Sequence, residues 1–236
     1  MNAEEYIARY KKMADTELTG NPFMSKSELV HSLIMKDILT GHLAMGETIQ
    51  QDLIARALNC SRSPIREALL RLTDSGFCTK GSNGAFSVSR VSIAEYIDFS
   101  EFRISLEVGM TRLAARNATY EDIAALKDNI GMMRSAIRDG AQFRDVLTLD
   151  HEFHYIIGKA SKNQFFFKTF VDNMEKLYFY QAATLNDSNY HNMMSKHEQI
   201  LLAIESRDEE AAQKKMKSHI SFYTKNMYRL EHDSST

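Results

Sequence analysis

Residues 61–76 read SRSPIREALLRLTDSG, and residues 51–58 before them read QDLIARAL, with only Asn59-Cys60 between the two stretches. Ile65, Ala68, Leu69 and Leu72 recur at helical spacing and make one apolar stripe, while Arg62 and Arg66, four residues apart, share another face. Two helices joined by so short a turn make a helix-turn-helix, in which the N-terminal end of the second helix meets base edges and phosphates in the DNA major groove. Guanidinium groups suit that end, because one can take a guanine edge bidentately while its neighbour secures backbone or base. Ser61 and Ser63 can cap the helix or donate to phosphate. An isolated pair of arginines four apart is more often a solvated helix face; the surrounding helix-turn-helix pattern reverses that balance.

Working outward, Ser25 and Glu28 form an S-x-x-E capping box ahead of LVHSLIMKDIL (29–39), whose apolar residues at 29, 33, 34 and 38 mark a first core helix ending near Thr40-Gly41. Downstream, FCTKGSNGAFSV (77–88) holds two short extended runs around Asn83-Gly84, a dipeptide suited to a tight hairpin because both positions tolerate positive φ. The hairpin completes a winged helix-turn-helix over 25–90. Residues 1–24 carry a short helical pattern (Tyr6, Ile7, Tyr10, Met13) and then a break at Gly20 and Pro22, and read as a loosely attached extension with no assigned role.

From Val91 onward only helical patterns remain. Ser92 with Glu95 and Thr119 with Asp122 are further capping signals, and Asp139-Gly140, Ser161-Lys162-Asn163, Asn186-Asp187-Ser188 and Ser206-Arg207-Asp208 punctuate the rest. The expectation for 91–236 is an all-α antiparallel bundle of about six or seven helices. Two prolines and ten glycines in 236 residues leave few chain breakers, so the fold class is mainly α. With 44% apolar and 25% charged residues the chain is neither disordered nor fibrous. No apolar run is long enough to span a bilayer and the start lacks a secretory core, which predicts a cytoplasmic address without membrane contact. Cys60 and Cys78 form no CxxC pair and read as small buried apolar residues. The net charge is −2, yet residues 26–90 hold 8 basic against 6 acidic residues, so the small basic excess sits with the helix-turn-helix.

Six of the eight histidines fall after Val91. Asp150 and His154, spaced i, i+4, leave one helix face together, whereas His197 lies with Ile200, Leu201 and Ile204 and His219 lies with Met216, Ile220 and Tyr223. Three imidazoles and a carboxylate gathered in a bundle core would suit a divalent ion, Zn²⁺ first, then Mn²⁺, Ni²⁺ or Fe²⁺, with positions left open to water or ligand. Singly, each histidine is more often a hydrogen-bonded core residue. The aromatic stretch FFFKTFVDNMEKLYFYQ (165–181) reads as core or dimer packing.

The run from Ile34 to Val88 resembles the winged helix-turn-helix of GntR-type bacterial transcription regulators, most specifically through SRSPIREALLRL, Gly76 and the Asn83-Gly84 wing tip. Met45 stands where a proline is common, and Cys60 where a valine is typical. The resemblance implies DNA contacts at Arg56, Ser61, Arg62 and Arg66, with Asn83 and Gly84 on the wing near the minor groove. Residues 95–226 resemble the FCD effector domain of the FadR-like branch of these regulators, through FRISLE, D-x-x-F-H, an Asn163 opening a helix, H-x-x-I-x-x-A-I and a final M-x-x-H. That resemblance places Asp150, His154, His197 and His219 at the four metal-ligand positions and leaves His151 and His191 outside them, on the surface. Arg103, followed by Glu107 one turn later, is either a second anchor for a carboxylate effector or one half of an intrahelical salt bridge. Together these features imply no enzyme but a homodimeric regulator that binds a near-palindromic double-stranded DNA operator and responds to a small organic acid at a metal site. A metal-responsive regulator is the alternative; a helical-bundle metalloenzyme is a weaker one, since no motif supplies a second catalytic group.

Overall fold

A computed structural model describes residues 2–141, 143–184 and 190–233, with side chains described for 2–141, 145–181 and 193–222. The chain divides into two compact units, Met1–Val91 and Ser92–Thr236, and among the described residues it holds eleven helices and one two-stranded sheet.

The first unit contains α1 (Ala3–Gly20), α2 (Lys26–Leu39), α3 (Gln51–Ala57), α4 (Arg62–Asp74), β1 (Cys78–Lys80) and β2 (Phe86–Val88). The Ser25 and Glu28 capping box forms in both directions and starts α2, whose Leu29, Leu33, Ile34 and Ile38 are buried. α2 packs on α4, whose stripe Ile65, Ala68, Leu69 and Leu72 is buried, and α4 packs in turn on α3, where Ile54 is buried. β1 and β2 pair antiparallel with Thr79 opposite Ser87, and Thr48 adds a bridge to Ser87. At the wing tip Gly84 takes φ +79°, and Asn83 Oδ1 accepts from Ala85 N at 3.0 Å, which closes the loop by side chain as well as backbone.

Residues 3–20 correct the expectation of a loose extension. They form a full helix, opened by a reciprocal Asn2 and Glu5 capping box, that packs on α2 and α3 and buries Tyr6, Tyr10 and Ala14. The Tyr6 and Tyr10 rings stack with centroids 4.8 Å apart, and Arg9 pairs with the buried Asp37 of α2. The partner of Arg9 lies 28 residues along the chain, which is why the short apolar pattern understated this helix. Cys78 is buried as expected, but Cys60, in the turn between α3 and α4, is partly exposed.

The second unit is a bundle of α5 (Ile93–Asn117), α6 (Tyr120–Arg138), α7 (Phe143–Ala160), α8 (Gln164–Asp172), α9 (Met174–Thr184), α10 (Tyr190–Glu205) and α11 (Glu209–Asp233). Capping boxes at Ser92/Glu95 and Thr119/Asp122 start α5 and α6, and the Asn163 side chain accepts from Phe165 and Phe166 to start α8. α11 packs along α5, α6 against α7, and α10 against α11. Met110, Ala114, Leu126, Phe153, Ile157, Ile200, Ile204 and Met216 form the middle of their shared core. That packing brings the inner faces of α5, α7, α10 and α11 together.

Candidate metal centre and DNA-reading surface

α7 carries Asp150 and His154 one turn apart on its inner face; α10 supplies His197 and α11 supplies His219, so one short segment and two distant ones meet. All four side chains are essentially inaccessible to solvent, and one ligand atom from each lies within 4.8 Å of the others. Asp150 Oδ1 is 3.1 Å from His197 Nε2 and 3.9 Å from His154 Nε2, and His154 Nε2 is 3.1 Å from His219 Nε2. Ligand bonds of about 2.0–2.2 Å in a tetrahedron put donor atoms roughly 3.3–3.6 Å apart, so the observed spacings bracket the value a divalent ion needs. Two imidazole Nε2 atoms facing one another beside a carboxylate oxygen fit a shared cation better than a chain of hydrogen bonds, in which each donor needs its own acceptor.

The electrostatics favour neutral His197 and His219 imidazoles beside an ionised Asp150. Burial pushes the His197 and His219 imidazoles down from the usual histidine value, His219 well below it. Burial alone would raise Asp150, but the His197 hydrogen bond and the surrounding imidazoles hold its carboxyl well below the ordinary range. A metal requires those protonation states of these three side chains.

In the first unit, Ser61 occupies the N-cap of α4 with extended backbone and makes no side-chain capping bond, and the first turn of α4 contains no acidic residue. The positive end of that helix is therefore open to an anion. Ser63, Arg66 and Arg56 are exposed, and neither Arg56 nor Arg66 has an ion-pair partner among the described residues. Arg62 is exposed too, with its Nη2 2.7 Å from Asp52 Oδ1 of α3. Asn83 is exposed and Gly84 half-buried at the tip of the hairpin.

Residues 26–88 match the family described as bacterial regulatory proteins, gntR family, and residues 98–222 match the FCD domain. The chain belongs to the gntR family of regulators with an FCD domain. Among its relatives, the Nta operon transcriptional regulator of Aminobacter aminovorans is 33% identical over 171 residues, which cover 72% of this chain and 80% of that one. The HTH-type transcriptional repressor RspR of Escherichia coli K12 is 23% identical over 224 residues, covering 91% and 94% of the two chains. Among solved structures, Escherichia coli McbR/YncC superposes with a TM-score of 0.72 at 20% identity, over 89% of this chain and all of that one. The regulator's likeness is to proteins that control transcription, not to enzymes.

In this gntR-family regulator the FCD domain holds more of the site than the four ligand positions. His151, expected on the surface, is 6% exposed: its Nε2 bonds Gln181 Oε1 and its ring lies against Tyr178. Gln181, on α9, in turn donates from Nε2 to Asp150 Oδ2 at 3.4 Å, so the carboxylate oxygen not facing the imidazoles is held. Glu107 of α5 places Oε2 2.5 Å from His154 Nδ1 and Oε1 2.6 Å from Arg103 Nε. Arg103 thus forms the intrahelical pair with Glu107, and the pair is buried. Nothing in the local sequence connects His151 to Gln181; the Arg103-x-x-x-Glu107 spacing was the one visible signal for Glu107. His191 lies outside the described side chains.

Proposed function

We propose that this regulator binds a near-palindromic operator as a homodimer and that a small organic acid, held at a divalent metal in the FCD domain, sets its affinity for DNA. The observation that carries this reading is the convergence of Asp150, His154, His197 and His219 in the buried centre of the bundle. Their donors are three imidazole nitrogens and one carboxylate oxygen, a set that suits Zn²⁺ first and Mn²⁺, Ni²⁺ or Fe²⁺ next. When bound, such an ion supplies a Lewis-acidic anchor for a carboxylate oxygen. Arg103 commits its Nε to Glu107, and the two line a small, mostly apolar crevice with Phe99, Phe102, Leu106 and Phe170; the rest of the Arg103 guanidinium is the group assigned to an incoming acid.

On the DNA side, Arg62 and Arg66 are the base-reading groups, Arg56, Ser61 and Ser63 secure phosphates, and Asn83 with Gly84 brings the wing to the neighbouring groove. Two-fold symmetry of the dimer imposes two-fold symmetry on the operator. Coupling between acid and operator is of the usual size, about 1–3 kcal/mol, or roughly 5- to 150-fold in affinity.

Elemental analysis tests the central claim: about one divalent ion per chain is expected, and it should disappear when His197 and His219 are both replaced by alanine. Metal content that is zero in the wild type, or unchanged in the double variant, would defeat the reading. Titrating a selected operator with metal alone, and then with carboxylic acids at fixed metal, separates an acid-responsive regulator from a metal-responsive one.

A further inference from the structure

We propose that Glu107 is the positioning residue of the metal centre: it fixes the His154 imidazole with Nε2 toward the other ligands, and Arg103 acts on the centre only through it. The inference rests on the metal reading above but concerns a residue outside the four-ligand set.

The geometry supports it step by step. His154 has two ring nitrogens, and only one can face Asp150 and His219. Nε2 does, at 3.9 Å and 3.1 Å from them. Nδ1 is then on the opposite side of the ring, and there Glu107 Oε2 stands 2.5 Å away in a dry interior. A carboxylate at that distance is placed to accept a hydrogen bond from Nδ1–H, which keeps the proton on Nδ1, leaves Nε2 with its lone pair free to bind a cation and makes the imidazole a better donor. On its other side Glu107 Oε1 faces the Arg103 guanidinium, with Nε at 2.6 Å, so the carboxylate stands between a fixed cation and the His154 ring. Glu107 and Arg103 sit on α5, while the ligands come from α7, α10 and α11, so this carboxylate is also the tie between the centre and the first helix of the bundle. Asp150 has a comparable but longer support in Gln181, at 3.4 Å.

The test uses the full chain and Zn²⁺, with dissociation constants measured by competition against a chelator and the ligand field read from the absorption spectrum of the Co²⁺-loaded protein. Glu107→Gln keeps the volume and removes the charge; it should weaken Zn²⁺ binding roughly 10- to 100-fold and alter the Co²⁺ spectrum. Arg103→Met should give a smaller loss on its own and none when added to Glu107→Gln. If Glu107→Gln leaves Arg103 buried without a partner and fails to fold, the double variant carries no unpaired charge and should show the full loss. Zn²⁺ affinity within two-fold of wild type in the folded Glu107→Gln chain, or in the double variant, overturns the proposal. So does an Arg103→Met effect of undiminished size in the Glu107→Gln background, which would mean that Arg103 acts on the metal directly. A wild type that binds no Zn²⁺, Mn²⁺, Ni²⁺ or Fe²⁺ is a different failure and counts against the metal reading itself.

Discussion

The start of α4 and the interior of the bundle use polar side chains in opposite ways. Arg62 keeps 74% of its side chain in water, and its one ion pair, with Asp52, is equally open. Asp150, His154, His197 and His219 expose 1% or less, and Gln181 and Glu107, from other helices, stand against Asp150 and His154. A surface guanidinium loses little by standing alone, so its final geometry can be left to the partner it binds. A buried imidazole or carboxylate without partners costs several kcal/mol, so its geometry has to be complete within the fold. The first region should therefore tolerate substitution and lose only binding, whereas the second should couple binding to stability.

The largest effect that could break this contrast is Arg62→Ala combined with Arg66→Ala. Each well-placed bidentate base contact is worth about 1–3 kcal/mol, so operator affinity should fall by roughly 10²- to 10⁴-fold. The thermal midpoint should stay where it is, because neither side chain belongs to the core. Gel-shift titration beside a thermal melt checks both; a midpoint that drops with affinity would place these arginines in the fold after all. Next in size is Tyr10→Ala in α1. Tyr10 is wholly buried and stacked on Tyr6, so truncation should cost the first unit about 3–5 kcal/mol in denaturant unfolding while leaving the exposed face of α4 chemically unchanged. A loss below about 1 kcal/mol would return α1 to the status of a loose appendage.

How much of this was legible in the sequence follows the same division. Capping boxes at Ser25, Ser92 and Thr119, the α4 stripe and the Asn83-Gly84 turn are local signals, each contained within a few residues, and the structure has them where they were expected. α1 showed in the sequence only as a short apolar pattern, and its buried side rests on Asp37, far along the chain. The interior was legible only as a pattern of types. Asp150 and His154 share a turn, yet what surrounds them is non-local: Gln181 reaches Asp150 from 31 residues away, and Glu107, visible as the partner of Arg103, gave no sign of His154. His151 was placed on the surface because it matches none of the ligand positions; its acceptor is on another helix.

A smaller effect sharpens the buried half of the comparison. Unfolded, Glu107 takes up its proton near the ordinary value of 4.5; folded, it does so only near about 2. As acid is added the unfolded chain binds the proton first, so the stabilisation from this carboxylate is complete above 4.5 and vanishes as pH falls to about 2. Chelator-treated wild type should therefore lose stability across that window in denaturant titrations, and the Glu107→Gln chain should lose less. Parallel acid limbs in the two proteins would show that the Arg103 and His154 contacts contribute nothing to the lowered value.

The smallest predicted effect tests the exposed half. Asp52 holds Arg62 at 2.7 Å in the free protein, and both ends of the pair are open to solvent. An exposed pair of this kind contributes little to stability, so Asp52→Asn should leave the unfolding midpoint unchanged. Its effect on DNA binding has a definite sign. A phosphate or guanine that recruits Arg62 must first displace Asp52, and Asp52 also brings a negative charge close to the phosphate backbone. Removing that charge should raise operator affinity by about two- to five-fold, and the gain should shrink as salt is added, because the repulsion it relieves is screened over about 10 Å at 0.1 M. Weaker binding by Asp52→Asn would instead mean that Asp52 orients Arg62 for the operator. The exposed turn would then be pre-set by its own chain, as the buried centre is, and the contrast between the two regions would fail.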